Sequence, residues 1–504
     1  MGLLQKKGTE GNAVTYPFLA SRALLALPPL GALLVDARPR ISKVLRTAGY
    51  IGSAAIALAS GDLLWFQPFF VILAATVTVF VSLHSEGYYR AVYGKASFFQ
   101  TILDLLMTML LWFFTSSSLG EFIAAWMFLD IVAVVMILME RGAENYRVAA
   151  TYVVACTLPS DVSVLSLWAL EGVRAGLENA FAKPLAQLAS SPIHVGTALS
   201  LLSIFGFTAK LALFPLHFWL PIVHPEAPSH GSALLSGLVI KMGAYGVLVA
   251  SQLLVLSPIA LYALLAQGFI TSAYGYFASA SQDDFKRLLA YSSVGHTGMI
   301  AASLSIGLLL DRCFVLLALA FVIYHGVVKS LAFLSAALME QVANTHEISK
   351  LGHIGYAVPW TRIVALTMVL NFAGIPPAGG FLAKGWAILE SVTGLGRTSP
   401  PIALAFITLV GLSSALSAIY SARIASAYFS VVPKVLGSAF PIPAEEKASE
   451  YALCAASVAL PLAIFADMAP AILVTLAVVP LPLALASLAL RAKPAKPWLG
   501  GVEA

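Results

Sequence analysis

Long hydrophobic runs follow one another along this chain, and short polar breaks separate them. The runs recur at intervals of about 18 to 35 residues, near the roughly 20 apolar residues that a helix needs to cross a bilayer. The clear breaks lie at 85–95, 140–147, 281–287, 340–353 and 443–450. The apolar residues come in long runs rather than ten-residue alternations, so the pattern predicts an all-α polytopic membrane protein of roughly 14 transmembrane helices.

None of these breaks is long enough to hold a soluble domain, so the pattern predicts a single membrane domain over 1–504. Composition agrees, because 60% of the residues are hydrophobic and only 11% are charged, against about 25% charged in a soluble domain. The net charge of +5 is dispersed or lies in short segments such as 38–46, which indicates a membrane surface and no nucleic-acid partner. The first fifteen residues have charge but no apolar core, so no cleavable signal peptide is expected.

The cysteines and candidate nucleophiles give no sign of a catalytic or metal centre. Cys156, Cys313 and Cys454 stand apart in apolar segments and form no CxxC or Cys/His spacing. We therefore expect no disulfide, no metal and no cofactor. Ser229 and His230 lack a nucleophile motif or metal-ligand spacing, which disfavours a membrane enzyme with a catalytic site of its own.

Several lysines interrupt the hydrophobic runs, namely Lys210, Lys241, Lys329 and Lys384. A lysine at the bilayer centre costs roughly 2.5–3.5 kcal/mol on insertion scales, so it must face protein or water. Snorkelling of the long side chain to the headgroups is the alternative, and it suits Lys350, which stands near a polar break. It suits Lys210 and Lys241 less, because apolar residues flank both for several positions on each side.

Histidines stand at helical spacing from these lysines, at separations of seven, eleven and four positions. The pairs are, in that order, Lys210 with His217, His230 with Lys241, and His325 with Lys329. The first pair shares a face if one helix runs unbroken to Pro215 and slightly beyond. A lone buried histidine is usually a satisfied hydrogen-bonding residue, whereas histidines interleaved with buried lysines indicate a discontinuous line of titratable groups, as a proton pathway requires.

Two segments combine helix-breaking residues with a buried lysine. Pro215 and Pro221 follow Lys210, and NFAGIPPAGGFLAKGW places prolines and glycines just before Lys384. Backbone groups freed by such breaks must be satisfied by protein or water at membrane depth. Interrupted helices at corresponding positions of two halves indicate the ion path of a transporter built from repeats.

Four motifs carry a family resemblance, in the order AKLALFPLHFWLPIVHPEAPSHGSALLSGLVIKMGAYGVL, SQDDFKRLLAYSSVGHTGMI, IYHGVVKSLAFLSAA and LNFAGIPPAGGFLAKGW. They resemble the antiporter-like subunits of respiratory complex I, of its membrane-bound hydrogenase relatives and of Mrp-type cation/proton antiporters. EGYYRAVYGKASFF and WMFLDIVAVV match more loosely, and HPEAPSH leans towards the hydrogenase and archaeal-type branch.

The resemblance implies about fourteen helices with two inverted five-helix repeats, over about 97–250 and about 255–430, flanked by further helices at both ends. Each repeat contains one broken helix. The family usually has glutamate on its fifth helix, where it pairs with the lysine of the first broken helix, and here FLDIVAVV places an aspartate. The implied ion pathway consists of Asp130, Lys210, His217, His224, His230, Lys241, His325, Lys329 and Lys384.

Within that pathway the resemblance gives the lysines different positions. Lys210 matches the lysine of the first broken helix, Lys241 that of the next helix, and Lys384 the outlet lysine of the second broken helix. His325 and Lys329 match the central connecting site.

Such subunits make no bond in a substrate, so the resemblance implies a non-catalytic subunit of a complex like NADH-quinone oxidoreductase or a membrane-bound hydrogenase. It would pass H⁺, or exchange Na⁺, driven by redox chemistry in neighbouring membrane subunits. The alternative is a subunit of a multisubunit Mrp-type Na⁺/H⁺ antiporter without redox chemistry. Either function implies a multi-pass protein of the cell membrane, with the lipid bilayer and other subunits as partners.

Overall fold

The chain folds as a bundle of helices, as expected where backbone polar groups must be satisfied inside lipid. The computed structural model describes residues 19–139, 143–430 and 442–465. Its first half contains α1 (Leu19–Leu33), α2 (Pro39–Ser60), α3 (Gln67–Tyr93), α4 (Ser97–Phe114), α5 (Leu119–Ile137), α6 (Asn145–Ala175), α7 (Thr197–Lys210), α8 (Trp219–Glu226) and α9 (Ser229–Leu253).

The second half continues with α10 (Pro258–Ala280), α11 (Phe285–Leu309), α12 (Cys313–Ala343), α13 (Thr361–Ala373), α14 (Gly379–Glu390), α15 (Pro400–Phe429) and α16 (Ala444–Phe465). Short helices and 3₁₀ turns lie at Leu177–Ala182, Leu185–Ala189, Leu216–Phe218, Ile348–Lys350, Ile354–Ala357 and Gly396–Thr398. Strands β1 (Ile193–His194) and β2 (Leu254–Val255) pair in parallel.

Among the described residues, eight helices are long and apolar enough to cross a membrane: α3, α4, α5, α6, α9, α11, α12 and α15. Helices α1, α7 and α13 are shorter and also apolar. The prediction of a polytopic all-α membrane protein is confirmed at this level.

Helices α9, α11 and α12 form the centre of the bundle. In the 18-residue apolar stretch of α9 all residues are buried, whereas in the corresponding stretches of α6 and α15 only 33% of the residues are buried. Close packing at the centre uses glycine, because a Cβ on Gly298 of α11 would lie 2.3 Å from the backbone nitrogen of Ser272 in α10. The central helices therefore carry the positions that are best shielded from lipid.

Both predicted helix breaks are present, and side chains satisfy the backbone there. Helix α7 ends at Lys210, and the Phe214 amide beyond it donates to the Thr271 hydroxyl at 2.9 Å. Gln267 donates to the Phe214 carbonyl at 2.6 Å. Helix α13 ends at Ala373 and is capped by Gly374, whose φ of +73° suits glycine.

Two of the long helices contain a π-helical turn, Val153–Thr157 in α6 and Leu235–Val239 in α9, and a third such turn, Ser391–Leu395, follows α14. A π turn adds one residue to the helical repeat and rotates the side chains on either side relative to each other. Hydrophobic periodicity does not reveal these turns, so no sequence prediction included them.

The ends of α3 and α12 meet the starts of α9, α11 and α16 at one face of the bundle. Tyr88 of α3, Ser229 of α9 and Lys286 of α11 all donate to Glu340 near the end of α12. Glu446, in the first turn of α16, accepts a hydrogen bond from the residue after Glu340. We call this side of the bundle the Glu340 face.

Candidate functional site

A buried ion pair joins α5 to the end of α7. The Lys210 ammonium contacts the Asp130 carboxylate, and neither side chain is more than 4% exposed. Tyr152 of α6 donates to Asp130 Oδ1 at 2.9 Å and lies 3.2 Å from Lys210 Nζ. The rings of Trp126 and Tyr152 lie 5.4 and 5.2 Å from the ammonium. Lys210 is thus a compensated charge, held at a helix C-terminus where the backbone dipole favours a cation.

Lys241 has a different environment, because it contacts no acidic side chain in the described part of the chain. Its Nζ lies 2.5 Å from Nδ1 of His325 on α12 and donates to the Ser236 carbonyl at 2.6 Å. Ser236 belongs to the π turn of α9. The partners of Lys241 in the described chain are therefore neutral groups, in contrast to the carboxylate that faces Lys210.

His296 of α11 extends this contact towards Lys329. The rings of His296 and His325 stack with their centroids 4.6 Å apart. His296 Nδ1 lies 2.7 Å from the Ser292 carbonyl, and the Ser292 hydroxyl contacts the Lys329 ammonium. The order Lys241, His325, His296, Ser292, Lys329 therefore crosses from α9 through α12 to α11 and back to α12.

His296 was missed in the sequence, although it lies inside a matched motif. It has no lysine or histidine three, four or seven positions away on α11, so spacing along one helix gives no signal. Its partners come from neighbouring helices. Only the packing of α11 against α12 brings it to His325.

Phe372, at the end of α13, connects Lys329 to Lys384. The Lys329 ammonium lies 4.6 Å from the centre of its ring. Lys384 donates to the Phe372 carbonyl at 3.0 Å and to the Ser417 hydroxyl of α15 at 2.9 Å. That carbonyl lies in the last turn before the second break, so the break itself supplies a ligand for the lysine.

The three other predicted histidines are buried, and none of them makes a hydrogen bond to a pathway lysine among the described residues. His217 is in the turn after the first break, with its ring 4.7 Å from that of Tyr274. His224 of α8 stacks on Phe333 at 4.4 Å, and neither of its nitrogens has a hydrogen-bond partner among the described residues. His230 of α9 bonds to His84 of α3, its Nε2 being 2.9 Å from Nδ1 of His84.

Two of the predicted pairings along one helix are wrong. Lys210 and His217 do not share a helical face, because α7 ends at Lys210 and the chain turns before Leu216–Phe218. His230 and Lys241 contact different helices, α3 and α12, because the π turn between them shifts the register that eleven α-helical positions would give. In the third pair, His325 and Lys329 lie on the same side of α12 but bond to Lys241 and Ser292 respectively.

Asp104 belongs to a separate polar cluster between α2, α3 and α4. Its carboxylate accepts from Tyr50 at 2.6 Å, from Ser82 at 2.8 Å and from Gln100 at 2.8 Å, and Arg46 lies at 3.5 Å. The cluster satisfies its own charges, since Arg46 also pairs with a glutamate of α3. Asp104 is therefore not the partner of Lys210.

Cys313 lies near two acidic side chains in the structure, although it stands apart from the other cysteines in the sequence. Ligand atoms of Asp311, Cys313 and Glu390 lie within 4.8 Å of one another. All three side chains are partly exposed, and acidic groups often meet at such surfaces without binding an ion. No second feature of the described chain identifies a ligand there.

The sequence profile of the family described as "NADH:quinone oxidoreductase/Mrp antiporter, TM" matches residues 119–413. Hydrogenase-4 component B of Escherichia coli K12 is 30% identical over 366 residues, which cover 68% of this chain and 53% of that protein. The chain thus spans about half the length of the curated relatives that it matches first.

Two solved structures show the same fold. A subunit of a membrane-bound sulfane sulfur reductase, an archaeal respiratory membrane complex, superposes with a TM-score of 0.76 at 17% identity, over 95% of this chain and 86% of that one. A chain of the Mrp complex from Dietzia sp. DQ12-45-1b superposes with a TM-score of 0.72, also at 17% identity, over 88% of this chain and 94% of that one.

Proposed function

We propose, since this chain belongs to the NADH:quinone oxidoreductase/Mrp antiporter family, that it translocates protons as the antiporter-like subunit of a redox-driven membrane complex. The observation that carries the proposal is a set of buried titratable groups, made up of the Asp130–Lys210 pair and of the contacts that lead from Lys241 through its histidines and Lys329 to Lys384. These groups lie inside the bundle, where charges are costly, and ionisable groups at such depth in membrane proteins mark ion or proton pathways.

Lys210 and Lys241 differ in a way that suits proton transfer. Lys210 is compensated by Asp130, whereas Lys241 has only neutral partners in the described chain. When the contact between Asp130 and Lys210 opens, the buried charge of Lys210 is uncompensated, which favours release of its proton. Opening and closing of one ion pair thus changes proton occupancy along the line.

Unpartnered polar atoms support a hydrated path beyond the direct contacts. Among the described residues, the hydroxyls of Tyr276, Tyr324 and Tyr420 have no hydrogen-bond partner, nor do the Nε2 atoms of His296 and His325. Buried polar groups almost always bond to protein or water. These atoms are the donors and acceptors that water needs to connect the central histidines with Lys384.

We further propose the family architecture of about fourteen helices with inverted repeats over 97–250 and 255–430. If each broken helix counts as one membrane pass, α4 to α9 and α10 to α15 each supply five passes, which is the number that the repeats require. Lys210 precedes the first break directly, and Lys384 follows the second.

The Glu340 face lies towards the cytoplasm of the cell membrane in this proposal, because exposed basic side chains are concentrated there. They include Arg38, Arg40, Lys95, Arg287, Lys350 and Lys447, whereas Arg174, Arg312 and Arg397 are exposed at the opposite face.

Loss of pumping after a single lysine replacement tests the function. We expect Lys210→Met, in the intact complex in proteoliposomes, to remove most proton translocation while leaving assembly in place, because methionine is less costly in the membrane than lysine. The matched control is Lys350→Met, since that lysine is 63% exposed. Pumping by Lys210→Met at the level of this control would refute the proposal.

The Mrp-type alternative rests on the structural likeness to the Mrp complex and predicts a different energy source. Na⁺ movement driven by an imposed pH gradient, without electron donor or acceptor, would identify that alternative. Proton movement that requires a reductant and stops when the electron acceptor is exhausted would identify the redox-driven function.

A further inference from the structure

A histidine outside the implied pathway connects it to a helix outside the two proposed repeats. His84 of α3 contacts His230 through its Nδ1 at 2.9 Å. Its other nitrogen, Nε2, lies 3.5 Å from Oε1 of Glu450 on α16. His84 and Glu450 are both fully buried, so a row of titratable groups runs from α9 through α3 to α16 inside the protein.

Within the described ranges of the chain, Glu450 has no compensating partner other than His84. Neither of its carboxylate oxygens makes a hydrogen bond among the described residues, and no lysine or arginine of that part of the chain pairs with it. A buried carboxylate is stable when it is protonated or faces a cation. The pair therefore holds one transferable proton, as carboxylic acid with neutral imidazole or as carboxylate with imidazolium.

Glu446 extends the row to the membrane surface. It stands one helical turn before Glu450 on α16, is fully buried, and accepts from Gln341 at 3.3 Å through one oxygen only. Its neighbour Glu445 is 43% exposed and pairs with Lys43 at 2.7 Å. The row thus ends within one residue of solvent at the Glu340 face.

We propose that Glu446, Glu450 and His84 form a lateral proton branch that enters the pathway at His230. The inference rests on the proposed function, because it assumes that protons move along the central line. Neither His84 nor either glutamate belongs to the residues that the resemblance implied.

Proton transfer through His84 balances in a simple sequence. The Glu450 carboxylic acid gives its proton to Nε2 of His84, while the proton on Nδ1 passes to Nε2 of His230, so the imidazole gains and loses one proton. His230 releases its own proton from Nδ1 to water of the proposed hydrated path, since this nitrogen has no partner among the described residues. Glu450 then takes a proton from Glu446, which is reprotonated from solvent at the Glu340 face. Both imidazole rings must rotate back to the starting tautomer before the next proton can follow.

A proton suits this row better than a metal cation. A cation needs several ligand atoms that converge on one point, and among the described residues only Asp311, Cys313 and Glu390 converge in that way. His84, in contrast, has one nitrogen towards each neighbour, which is the geometry of a relay.

The nearby Glu340 carboxylate is less suited to this role because its hydrogen bonds are complete. It accepts from Ser229 at 2.9 Å, from Lys286 at 3.0 Å, from His346 at 2.7 Å and from Tyr88 at 2.9 Å. A carboxylate held by a lysine and three further groups remains ionised and fixes the helices that meet there. We therefore assign Glu340 a structural role and Glu450 the exchangeable proton.

The test compares Glu450→Gln, Glu450→Asp and His84→Gln with Glu445→Gln, a control five residues before Glu450 on α16 whose side chain is 43% exposed. In the intact complex in proteoliposomes we expect Glu450→Gln and His84→Gln to lower the initial rate of proton pumping about tenfold, Glu450→Asp to restore part of it, and Glu445→Gln to leave it unchanged. Wild-type rates in both Glu450→Gln and His84→Gln would overturn the branch.

Infrared difference spectroscopy separates the branch from a merely structural effect. Glu450→Gln should lose one of the carboxylic-acid bands that shift in D₂O in the wild type, and an unchanged set of these bands in that variant would contradict the assignment. Lys210→Met distinguishes the two proposals: if it abolishes pumping while Glu450→Gln does not affect it, the central pathway stands and the branch fails. If Lys210→Met pumps normally, the proposed function itself fails.

Discussion

At the scale of single residues, the aspartate at position 130 shows how a shorter acid is accommodated. The resemblance implies a glutamate at this position, yet Asp130 reaches the Lys210 ammonium. Tyr152 supports the contact by donating to the same carboxylate oxygen. The pair is thus held by three helices, α5, α6 and α7, so the lost methylene is compensated by neighbouring side chains.

Substitutions at Asp130 should separate charge from length. Asp130→Ala leaves the Lys210 charge uncompensated in the membrane, and breaking a buried pair in this way costs about 3–5 kcal/mol, so we expect proton pumping to be lost. Asp130→Glu keeps the charge and should retain pumping. Translocation in proteoliposomes at equal expression measures both.

Asp104→Asn is the control for that experiment, because Asp104 is equally buried but belongs to the Arg46 cluster. We expect it to lower the amount of assembled complex and to leave pumping per assembled complex unchanged. If Asp130→Ala pumped like the wild type and Asp104→Asn did not, Asp104 would be the functional acid and the assignment to α5 would be wrong.

His296 is a second residue whose importance is visible only in three dimensions. It stacks on His325 and leads to Lys329 through Ser292. We expect His296→Phe, which keeps the stacked ring but removes both nitrogens, to slow pumping about tenfold, equivalent to roughly 1.4 kcal/mol of barrier. Vesicle assays with His194→Phe, at an exposed position of β1, provide the comparison, and equal rates in the two variants would exclude His296 from the path.

At the scale of elements, the second broken helix depends on a close approach between its two halves. A Cβ on Gly380 would lie 1.9 Å from the Asn371 carbonyl, so any larger residue pushes α14 away from α13. Lys384 takes its ligand from the carbonyl of Phe372, the residue after Asn371. The position of the lysine is therefore set by a glycine four residues before it.

Gly380→Ala should consequently damage both stability and function. We expect it to cost about 1–3 kcal/mol, typical of overpacking a tight contact, and to reduce pumping through displacement of Lys384. Gly385→Ala is the matched control on the same helix, because no atom lies within 4 Å of its added Cβ. Thermal unfolding temperatures and pumping rates of the two variants test this expectation. Equal values for Gly380→Ala and Gly385→Ala would disprove this role for Gly380.

The sequence predicts the elements better than their mutual contacts. Long hydrophobic runs give the helices, and prolines and glycines near Lys210 and Lys384 give both breaks. The pairing of His230 with His84 and of His325 with His296 could not be predicted, because each pair joins two different helices whose mutual packing the hydrophobic pattern does not specify. The π turn in α9 escaped for a local reason, since Leu235–Val239 has the same composition as regular membrane helix.

At the scale of the whole molecule, the outer helices leave broad apolar surfaces uncovered. Only 33% of the residues in the apolar stretches of α6 and α15 are buried. Helices α9, α11 and α12, which carry the central lysines and histidines, are largely buried. Described side chains such as Val173, Phe277 and Leu404 are 67–90% exposed. Lipid or neighbouring subunits must cover these surfaces.

We expect the protein to purify from mild detergent together with other membrane subunits. The proposed ion pathway needs an energy source, and the family to which the chain belongs is described as NADH:quinone oxidoreductase/Mrp antiporter. Affinity purification from native membranes followed by mass spectrometry checks this expectation. Recovery of a monodisperse monomer that transports ions by itself would contradict it.

The π turn of α9 also affects how this chain must be aligned with others. Each residue of an α-helix advances the side chains by about 100°. One extra residue between His230 and Lys241 therefore turns the two side chains towards different neighbours, His84 and His325 respectively. A relative whose corresponding helix is regular would have one position fewer. The correct alignment to such a relative carries a one-residue gap within Leu235–Val239, and an ungapped alignment would match either His230 or Lys241 to a residue on the wrong side of the helix.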